Sequence, residues 1–295
     1  MVVTRFNKPA ESPEQLLVRL EARGLAIADR AVALAYLKYV GGYRLKGFWA
    51  HLTDPATKQF RAPTHFDEIV QRYEFDRRLR ALTFDEVGRI EVAVRSSISN
   101  RLSLSYGPHW FIQPGLFRRS QEFSFGNMVK TIEDAVKRSR SPFINHYMVA
   151  YEEPCLPPSW GVSECVTFGF WSRTYQLLRD VDERKAISMK FQVDNHQVFE
   201  SWLHSLVYLR NVICHHGRML GAKFVIYPQQ YKKYGVTFSD PHTFFAPATV
   251  ISFLLRATGM GSGWKQELRK LFARHPAVAP AEIGFGSNWE AQSGW

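Results

Sequence analysis

Apolar residues recur every three or four positions over most of this chain, which is the period of an amphipathic α-helix. The longest such run begins near Phe66 and continues without proline to Tyr106, where Gly107 interrupts it. The pattern predicts one long helix, or two helices joined by a kink near residues 83–88. Its stripe is mostly apolar, with polar interruptions such as Asp76.

Residues that favour helix starts occur at three points in the first quarter of the chain. Ser12, followed by a proline, predicts the N-cap of a first helix. Asp29 can begin a second helix, which we expect to stop at the glycine pair 41–42. Thr64 with Asp67 is similar to a capping box and predicts the start of the long helix.

The second half of the chain is also helical in its pattern. Helices are predicted within residues 162–180 and over residues 196–220, and a loop followed by a helix is predicted in the variable stretch between the long helix and residue 162. The main strand signal is the short stretch 223–228. The fold class is therefore all-α: a helical bundle with an N-terminal helical appendage and a C-terminal helical extension.

The length of 295 residues allows one domain or two closely packed ones. We expect an N-terminal helical region over residues 1–60, a helical core over 61–228 and a C-terminal extension over 229–295 that packs on the core. The most apolar stretch, 243–255, is too short to span a bilayer and contains a proline. No membrane partner is expected.

The charge of the chain points toward an anionic partner. Its formal net charge is +11, while 45% of its residues are hydrophobic and 22% are charged, as in a folded globular protein. A basic imbalance of this size favours a polyanion, with nucleic acid ahead of an anionic membrane. Basic surfaces also serve solubility alone, so charge raises the odds of nucleic acid without deciding the matter.

Cysteine and histidine usage narrows the chemistry. The three cysteines are scattered, no pair has the spacing of a zinc site, and no disulfide framework is implied. The N-terminus lacks the apolar core of a signal peptide, so we expect a cytoplasmic protein. The ten histidines have no carboxylate or thiolate companions at ligand spacing, so neither a metal nor another cofactor is expected.

The stretch RNVICHHGR, residues 210–218, is the main candidate for a functional site. Similar arginine–histidine spacings occur elsewhere in the chain, so spacing alone proves nothing. Arg210, however, lies within the apolar stripe of a predicted helix, where a guanidinium is costly unless an anion or a hydrogen-bond partner meets it. That partner is either a phosphate or an internal carboxylate such as Glu91 or Asp76.

Helix geometry limits how this motif can work. Five residues of an ideal helix turn through about 140° and rise about 7.5 Å, so Arg210 and His215 would point apart. They converge if the helix ends or distorts here, and Gly217 is the predicted helix-ending residue. Alternatively, the motifs of two copies of the chain face one cleft.

The residue types suit cleavage of RNA without a metal. RNA carries its own nucleophile, the 2′-hydroxyl, and a histidine can take its proton or protonate the leaving oxygen. Arg210 can bind the phosphate and stabilise the charge that builds in the transition state, while Asn211 can orient His215 or bind a phosphate oxygen. The products would be a 2′,3′-cyclic phosphate and a 5′-hydroxyl, and DNA would resist.

Five motifs occur in a characteristic order: YVGGYRLKGFW, FDEIVQRYEFDRRLR, RIEVAVRSSIS, LPPSWGVSE and LRNVICHHGR. Together they resemble the Abi-like proteins of bacterial abortive-infection systems, of the AbiD/AbiF type, over about residues 12–222. IGFGSNW near the end is similar to the C-terminal segment of that family. The last of the five also resembles the signature of HEPN ribonucleases, which is an arginine, four to six residues and a histidine.

The resemblance implies a HEPN-type all-α bundle that acts on RNA in phage defence or as a toxin. By position, Arg210 and His215 match the HEPN arginine and histidine, and Asn211 matches the polar residue that often follows the arginine. HEPN sites usually form between two domains, so the single motif implies a homodimer. The chain departs from the family at residues 218–221, where Arg-Met-Leu-Gly replaces the common Arg-Leu-Trp-Asn.

Aromatic and basic residues alternate between positions 43 and 49. We expect the rings of Tyr43, Phe48 and Trp49 to belong to the core. Arg44 and Lys46 could either contact RNA phosphates or extend their charges into solvent above an apolar surface.

Further basic residues could contribute to an RNA surface beside the motif. The arginines of the long helix form either a solvated face or a track for phosphates, and the net charge favours a track for part of the set. The candidate RNA contacts beyond Arg44 and Lys46 are His216, Arg218, Arg77, Arg78 and Arg95.

Three hypotheses follow for the function. The first is a metal-independent HEPN endoribonuclease or toxin of phage defence, which dimerises to pair two motifs. The second is a non-catalytic protein that holds a small structured RNA, as in a complex of a toxin with an RNA antitoxin. The third, a helical adaptor for other proteins, treats the basic charge as incidental.

Overall fold

The computed structural model describes residues 9–61, 63–119, 124–259, 263–292 and 294–295. Over these residues the protein is all-α, as its periodicity predicts. The first residues of the predicted N-terminal region and part of the variable middle stretch lie outside the described residues.

One helix is far longer than the others, with 41 residues. In chain order, the α-helices of the described residues are α1 (Pro13–Glu21), α2 (Arg30–Tyr36), α3 (Gly42–Trp49), α4 (Phe66–Tyr106), α5 (Phe125–Arg138), α6 (Pro142–Ala150), α7 (Ser159–Val162), α8 (Phe168–Leu177), α9 (Val181–Met189), α10 (His196–Cys214), α11 (Phe245–Ala257) and α12 (Trp264–Arg274).

The N-terminal helix starts follow their sequence signals. The Ser12 side chain accepts a hydrogen bond from the Gln15 amide in a complete capping box, and the Asp29 side chain caps α2. The expected stop at the glycine pair is wrong. The α-helix ends earlier, and a π-helical turn over Leu37–Gly41 leads directly into α3. Gly41 permits this junction because its φ is 92°, which favours glycine.

The capping box predicted at Thr64 and Asp67 is wrong. Thr64 lies in a two-residue strand, β2 (Thr64–His65), which pairs in parallel with β1 (Leu25–Ala26). The N-cap of α4 is His65, the last residue of this strand pair, and its side chain makes no capping hydrogen bond. The strand pair therefore sets where the long helix begins.

The long helix α4 runs unbroken through the region where a kink was one alternative, and it lies at the centre of the fold. It contacts α3, the segment from α7 to α10, and both α11 and α12. Its buried side includes polar residues as well as apolar ones: Asp76, Arg80, Glu86 and Glu91 are among them. Each charged group buried there needs a partner from a neighbouring element.

The C-terminal half departs from prediction in two places. The helix predicted to reach residue 220 ends at Cys214, and the stretch 223–228 forms no strand. The apolar stretch 243–255 lies mostly in α11, which is buried nearly throughout. Among the described helices, none combines the length and apolar character needed to cross a bilayer.

Buried hydrophobic side chains form one contiguous cluster from Leu17 to Trp295. The cluster takes residues from each of the three regions predicted at 1–60, 61–228 and 229–295. That division stays a prediction, and the shared core keeps α3, α4 and the end of α10 in one packed unit.

Candidate functional site

The end of α10 is a Schellman turn. The Gly217 amide donates to the Val212 carbonyl at 2.7 Å, and the His216 amide donates to the Ile213 carbonyl at 2.9 Å. The predicted helix-ending role of Gly217 is wrong in detail, because His216 takes the left-handed conformation with φ 55°. Gly217 is instead required for space, since an added Cβ would lie 2.7 Å from Val212 Cγ1.

A buried carboxylate holds the chain that follows this turn. Asp76 Oδ1 accepts hydrogen bonds from the amides of Met219 and Leu220, both at 2.7 Å. Its other oxygen is bonded by the Arg80 guanidinium, which also lies 3.5 Å from the Gly217 carbonyl. Burial pushes the pKa of Asp76 upward, while Arg80 and the two amides pull it down. These contacts fix the post-helix segment on α4.

Two arginines join the same segment to α3. Arg44 donates to the His216 carbonyl with both Nη atoms, one of them at 3.1 Å. Arg218 donates in the opposite direction, to the Gly47 carbonyl. The pair forms a reciprocal clamp, in which each arginine satisfies a carbonyl of the other's segment. Both are predicted RNA contacts, which stays a prediction, and the structure shows that both position this segment against α3.

The clamp borders an open groove of about 530 Å³ between α3 and the end of α10. Several of the candidate residues come together there. The groove is lined by Tyr43, Arg44, Lys46, His215, His216 and Arg218, among others.

The aromatic residues of α3 divide between core and groove. Phe48 and Trp49 are buried, as predicted. Tyr43 was expected in the core, and that expectation is wrong, because its side chain is 95% exposed at the groove. It lies one turn before Gly47, and its high exposure within the described structure leaves the ring open to a ligand.

Arg210 does not line this groove. Its Nε lies 4.0 Å from a carboxylate oxygen of Glu91, and its side chain is 32% exposed. The other Glu91 oxygen is bonded by Arg95. Arg210 Nε is buried without a hydrogen bond. The internal carboxylate considered for Arg210 is therefore Glu91 rather than Asp76, and the pairing is long and incomplete.

The remaining candidates are spread over other surfaces. Asn211 is exposed on α10. Arg77 pairs with Glu74 on the same helix, and Arg78 is exposed on α4, but neither lines the groove. Arg95 is held by Glu91 and by the Ser163 carbonyl at 3.3 Å. These three arginines of α4 therefore do not form a single track for phosphates.

Sequence reasoning did not assign Asp76 and Arg80 to the site. Their signal was present as charged interruptions of the apolar stripe of α4, four residues apart and so on one helix face. The backbone amides that bind Asp76 and the Gly217 carbonyl beside Arg80, however, lie about 140 residues later, which no local pattern reveals. Among the described residues, no group of three or more His, Cys, Asp or Glu side chains could hold a metal ion.

Comparison with known proteins points to a family. A family model described as Abi-like protein matches residues 35–221, well over half of the chain. The matched range contains α3, α4 and the whole turn that Asp76 holds. No curated protein and no solved structure matches the chain.

Proposed function

The chain belongs to the Abi-like protein family, and from this premise we propose that it acts on RNA in an abortive-infection response to phage. The groove between α3 and the end of α10 is the proposed RNA site. The net charge of the whole chain, +11, supports association with a polyanion.

The observation that carries this proposal is the combination of cations, imidazoles and an exposed ring in one groove. Arg44, Lys46 and Arg218 line it, and none of the three has an ion pair within the described part of the chain. Cations without a counter-charge suit a phosphate backbone, and the open ring of Tyr43 suits an unpaired base. The groove therefore fits single-stranded RNA better than a protein partner.

The proposed reaction is transesterification within RNA. His215 takes the proton of a 2′-hydroxyl while that oxygen forms a bond to the adjacent phosphorus and the bond from phosphorus to the 5′-oxygen breaks. A second imidazole or a water protonates the leaving oxygen. The products are a 2′,3′-cyclic phosphate and a 5′-hydroxyl end.

Catalysis on this scheme requires a second copy of the chain. Arg210 faces Glu91 and does not line the groove that His215 lines, which supports a site completed by the arginine of a second chain. In a homodimer of HEPN type, Arg210 of one protomer would approach the phosphate bound beside His215 of its partner. Its long contact with Glu91 and its partial exposure leave its outer nitrogens able to do so.

The same separation favours a second candidate function. A single chain offers the cationic groove without the assembled arginine–histidine pair, which suits a protein that holds RNA without cutting it. Such a protein would bind a small structured RNA, as in a complex between a toxin and its RNA antitoxin. Binding alone needs only Arg44, Lys46, Arg218 and the ring of Tyr43.

The test is RNA cleavage by purified His215→Ala and Arg210→Ala variants, with toxicity in cells as a second readout. We expect each change to lower the cleavage rate by about 100-fold or more, because general acid–base catalysis and charge stabilisation contribute at least this much. His204→Ala is the matched control, since His204 is an exposed histidine of the same helix. It should retain full activity.

The outcomes separate the candidates. Cleavage that persists in both variants rules out this site as the nuclease. Absence of cleavage by the wild type, together with RNA that co-purifies and dissociates steeply with added salt, identifies the binding function. A protein that purifies free of RNA and binds none contradicts both.

A further inference from the structure

A second cationic pocket lies apart from the groove, where the chain after α4 meets the end of α8. Its volume is about 380 Å³, within the range of small-molecule sites. The residues that define its chemistry are Phe117, Arg118, Arg119, Phe125 and Arg179. None of them belongs to the groove or to the Arg210 motif.

The fold brings these arginines together through backbone pairing. The Arg118 amide donates to the Leu177 carbonyl at 2.8 Å, and the Arg179 amide donates to the Leu116 carbonyl at 2.8 Å. The two segments run antiparallel and form an isolated β-bridge. Residues more than sixty positions apart in sequence are thereby held at one pocket, so the cluster is a product of the tertiary structure.

No carboxylate neutralises the cluster within the described residues. The Arg118 guanidinium donates to the Gln176 carbonyl, and Arg179 Nη2 lies 3.4 Å from the Phe117 carbonyl. Arg119 has no hydrogen bond or ion pair there. Three like charges around one cavity repel one another, and an anion bound between them would remove that repulsion.

The positive potential extends to neighbouring titratable groups. Burial and then the charge of Arg118 lower the pKa of Arg184. The pKa of His196, the first residue of α10, is lowered by burial and then by Arg184, Lys185 and Arg118. Arg118 thus acts at the first turn of α10, whereas the groove lies at its last turn. A helix of 19 residues is roughly 28 Å long, so the two sites are well separated.

The pocket also has an aromatic wall. The ring of Phe125 is half-buried, and its centroid lies 5.8 Å from that of buried Phe117. Guanidinium groups bind phosphate oxygens in a bidentate manner, and a phenylalanine ring or a guanidinium plane can stack on a base. We propose that this pocket binds a nucleotide, with its phosphate between Arg118, Arg119 and Arg179 and its base against Phe125.

The experiment is calorimetric titration of the full-length chain with adenosine 5′-monophosphate, adenosine and inorganic phosphate. We expect the monophosphate to bind, and both of the other probes to bind at least tenfold more weakly, because each lacks half of the recognised chemistry. Arg119→Ala is the first variant, since Arg119 has no partner in the described structure and its loss should leave the fold intact. It should weaken binding of the monophosphate by about tenfold, and Arg119→Ala with Arg179→Ala should weaken it further.

Arg140→Ala is the matched control, because Arg140 is likewise exposed and without a partner among the described residues. It should bind as the wild type does, and so should His215→Ala, which keeps this test independent of the nuclease proposal. Failure of the monophosphate to bind, binding that Arg119→Ala leaves unchanged, or equal binding of adenosine or phosphate would overturn the proposal.

Competition then identifies the source of the nucleotide. If a 5′-phosphorylated oligoribonucleotide displaces the monophosphate and the same oligomer with a 5′-hydroxyl does not, the pocket reads the 5′ end of an RNA. If neither displaces it, the ligand is a free nucleotide. If both displace it equally, the end phosphate is not recognised and the proposal fails.

Discussion

Two carboxylates of α4 illustrate how the same local pattern gives two different results. Asp76 and Glu91 each lie four residues before an arginine, and each bonds it across one helical turn. Both carboxylates contact residues that lie within α10 or just after it. Asp76 also accepts two short hydrogen bonds from backbone amides, whereas within the described residues the second oxygen of Glu91 has only Arg210, at 4.0 Å.

The two carboxylates differ in how firmly they hold the residues that they contact. Asp76 is fully buried and satisfied, so it fixes the turn that carries His215 and His216. Glu91 holds Arg95 firmly and Arg210 loosely, which leaves Arg210 partly exposed. Asp76 thus supports the turn that carries the proposed catalytic histidine. The guanidinium of Arg210 is weakly held, so a phosphate or a second chain could bind it in place of Glu91.

The largest effect expected is on folding stability in Asp76→Ala. Its loss leaves two buried backbone amides without a partner and buried Arg80 without its counter-charge, so the free energy of unfolding should fall by about 3–5 kcal/mol. Urea-induced unfolding followed by circular dichroism measures this. Asp76→Asn keeps an acceptor oxygen and should lose less. Equal losses in the two variants would show that the amide bonds are not what holds the turn.

Glu91→Ala should cost less, about 1–2 kcal/mol, because Arg95 and Arg210 can both turn toward solvent. The same unfolding experiment applies. If this change destabilises the protein as much as Asp76→Ala does, the contrast between the two carboxylates is mistaken. Should Arg210 serve RNA, removal of its competing carboxylate should also tighten RNA binding, measured by fluorescence anisotropy.

Variants of Arg44 and Lys46 distinguish a side chain that positions the turn from one that binds phosphate in the groove. Arg44→Ala removes the bonds to the His216 carbonyl and should lower stability by about 1 kcal/mol. Lys46→Ala should leave stability within about 0.5 kcal/mol, while it reduces the slope of log affinity for RNA against log salt concentration by roughly 0.7. An unchanged salt slope in Lys46→Ala would contradict a phosphate contact there.

The smallest effect is expected for His216→Gly. Glycine adopts the left-handed conformation freely, so relief of strain should raise stability by roughly 0.5 kcal/mol once its greater freedom in the unfolded chain is counted. RNA binding or cleavage should fall if His216 contacts the substrate. His216→Asn, which tolerates the same backbone conformation, is the control for side-chain chemistry. A loss of stability in His216→Gly would show that the imidazole itself supports the turn.

Part of the fold could be predicted from the sequence because it depends on interactions between residues that are close together in the chain. The 41-residue α4 follows from an unbroken three-and-four periodicity that a glycine ends, and the cap of α1 follows from Ser12 and Gln15. The cap of α4 was missed because Thr64 and His65 both pair with β1, about 40 residues earlier, and the helix begins only where that pair ends. No local pattern reveals a pairing partner at that distance.

The site was partly predictable for the same reason. The motif at residues 210–218 singled out His215 and His216, and both line the groove. The position of Tyr43 was missed, because a ring beside basic residues has the same pattern in a core and on a surface. Only the packing of α3 shows that Phe48 faces inward while Tyr43 faces solvent.

The order of residues alone determined the helical class, the starts of α1, α2 and α10, the basic charge and the presence of the arginine–histidine motif. Each of these depends on neighbours within a few positions or on a simple sum over the chain. The tertiary structure decided which carboxylate meets which arginine, where α10 stops, and which cations share a cavity. Those outcomes join residues far apart in sequence, and they arise only when buried charges and backbone amides find partners across the packed helices.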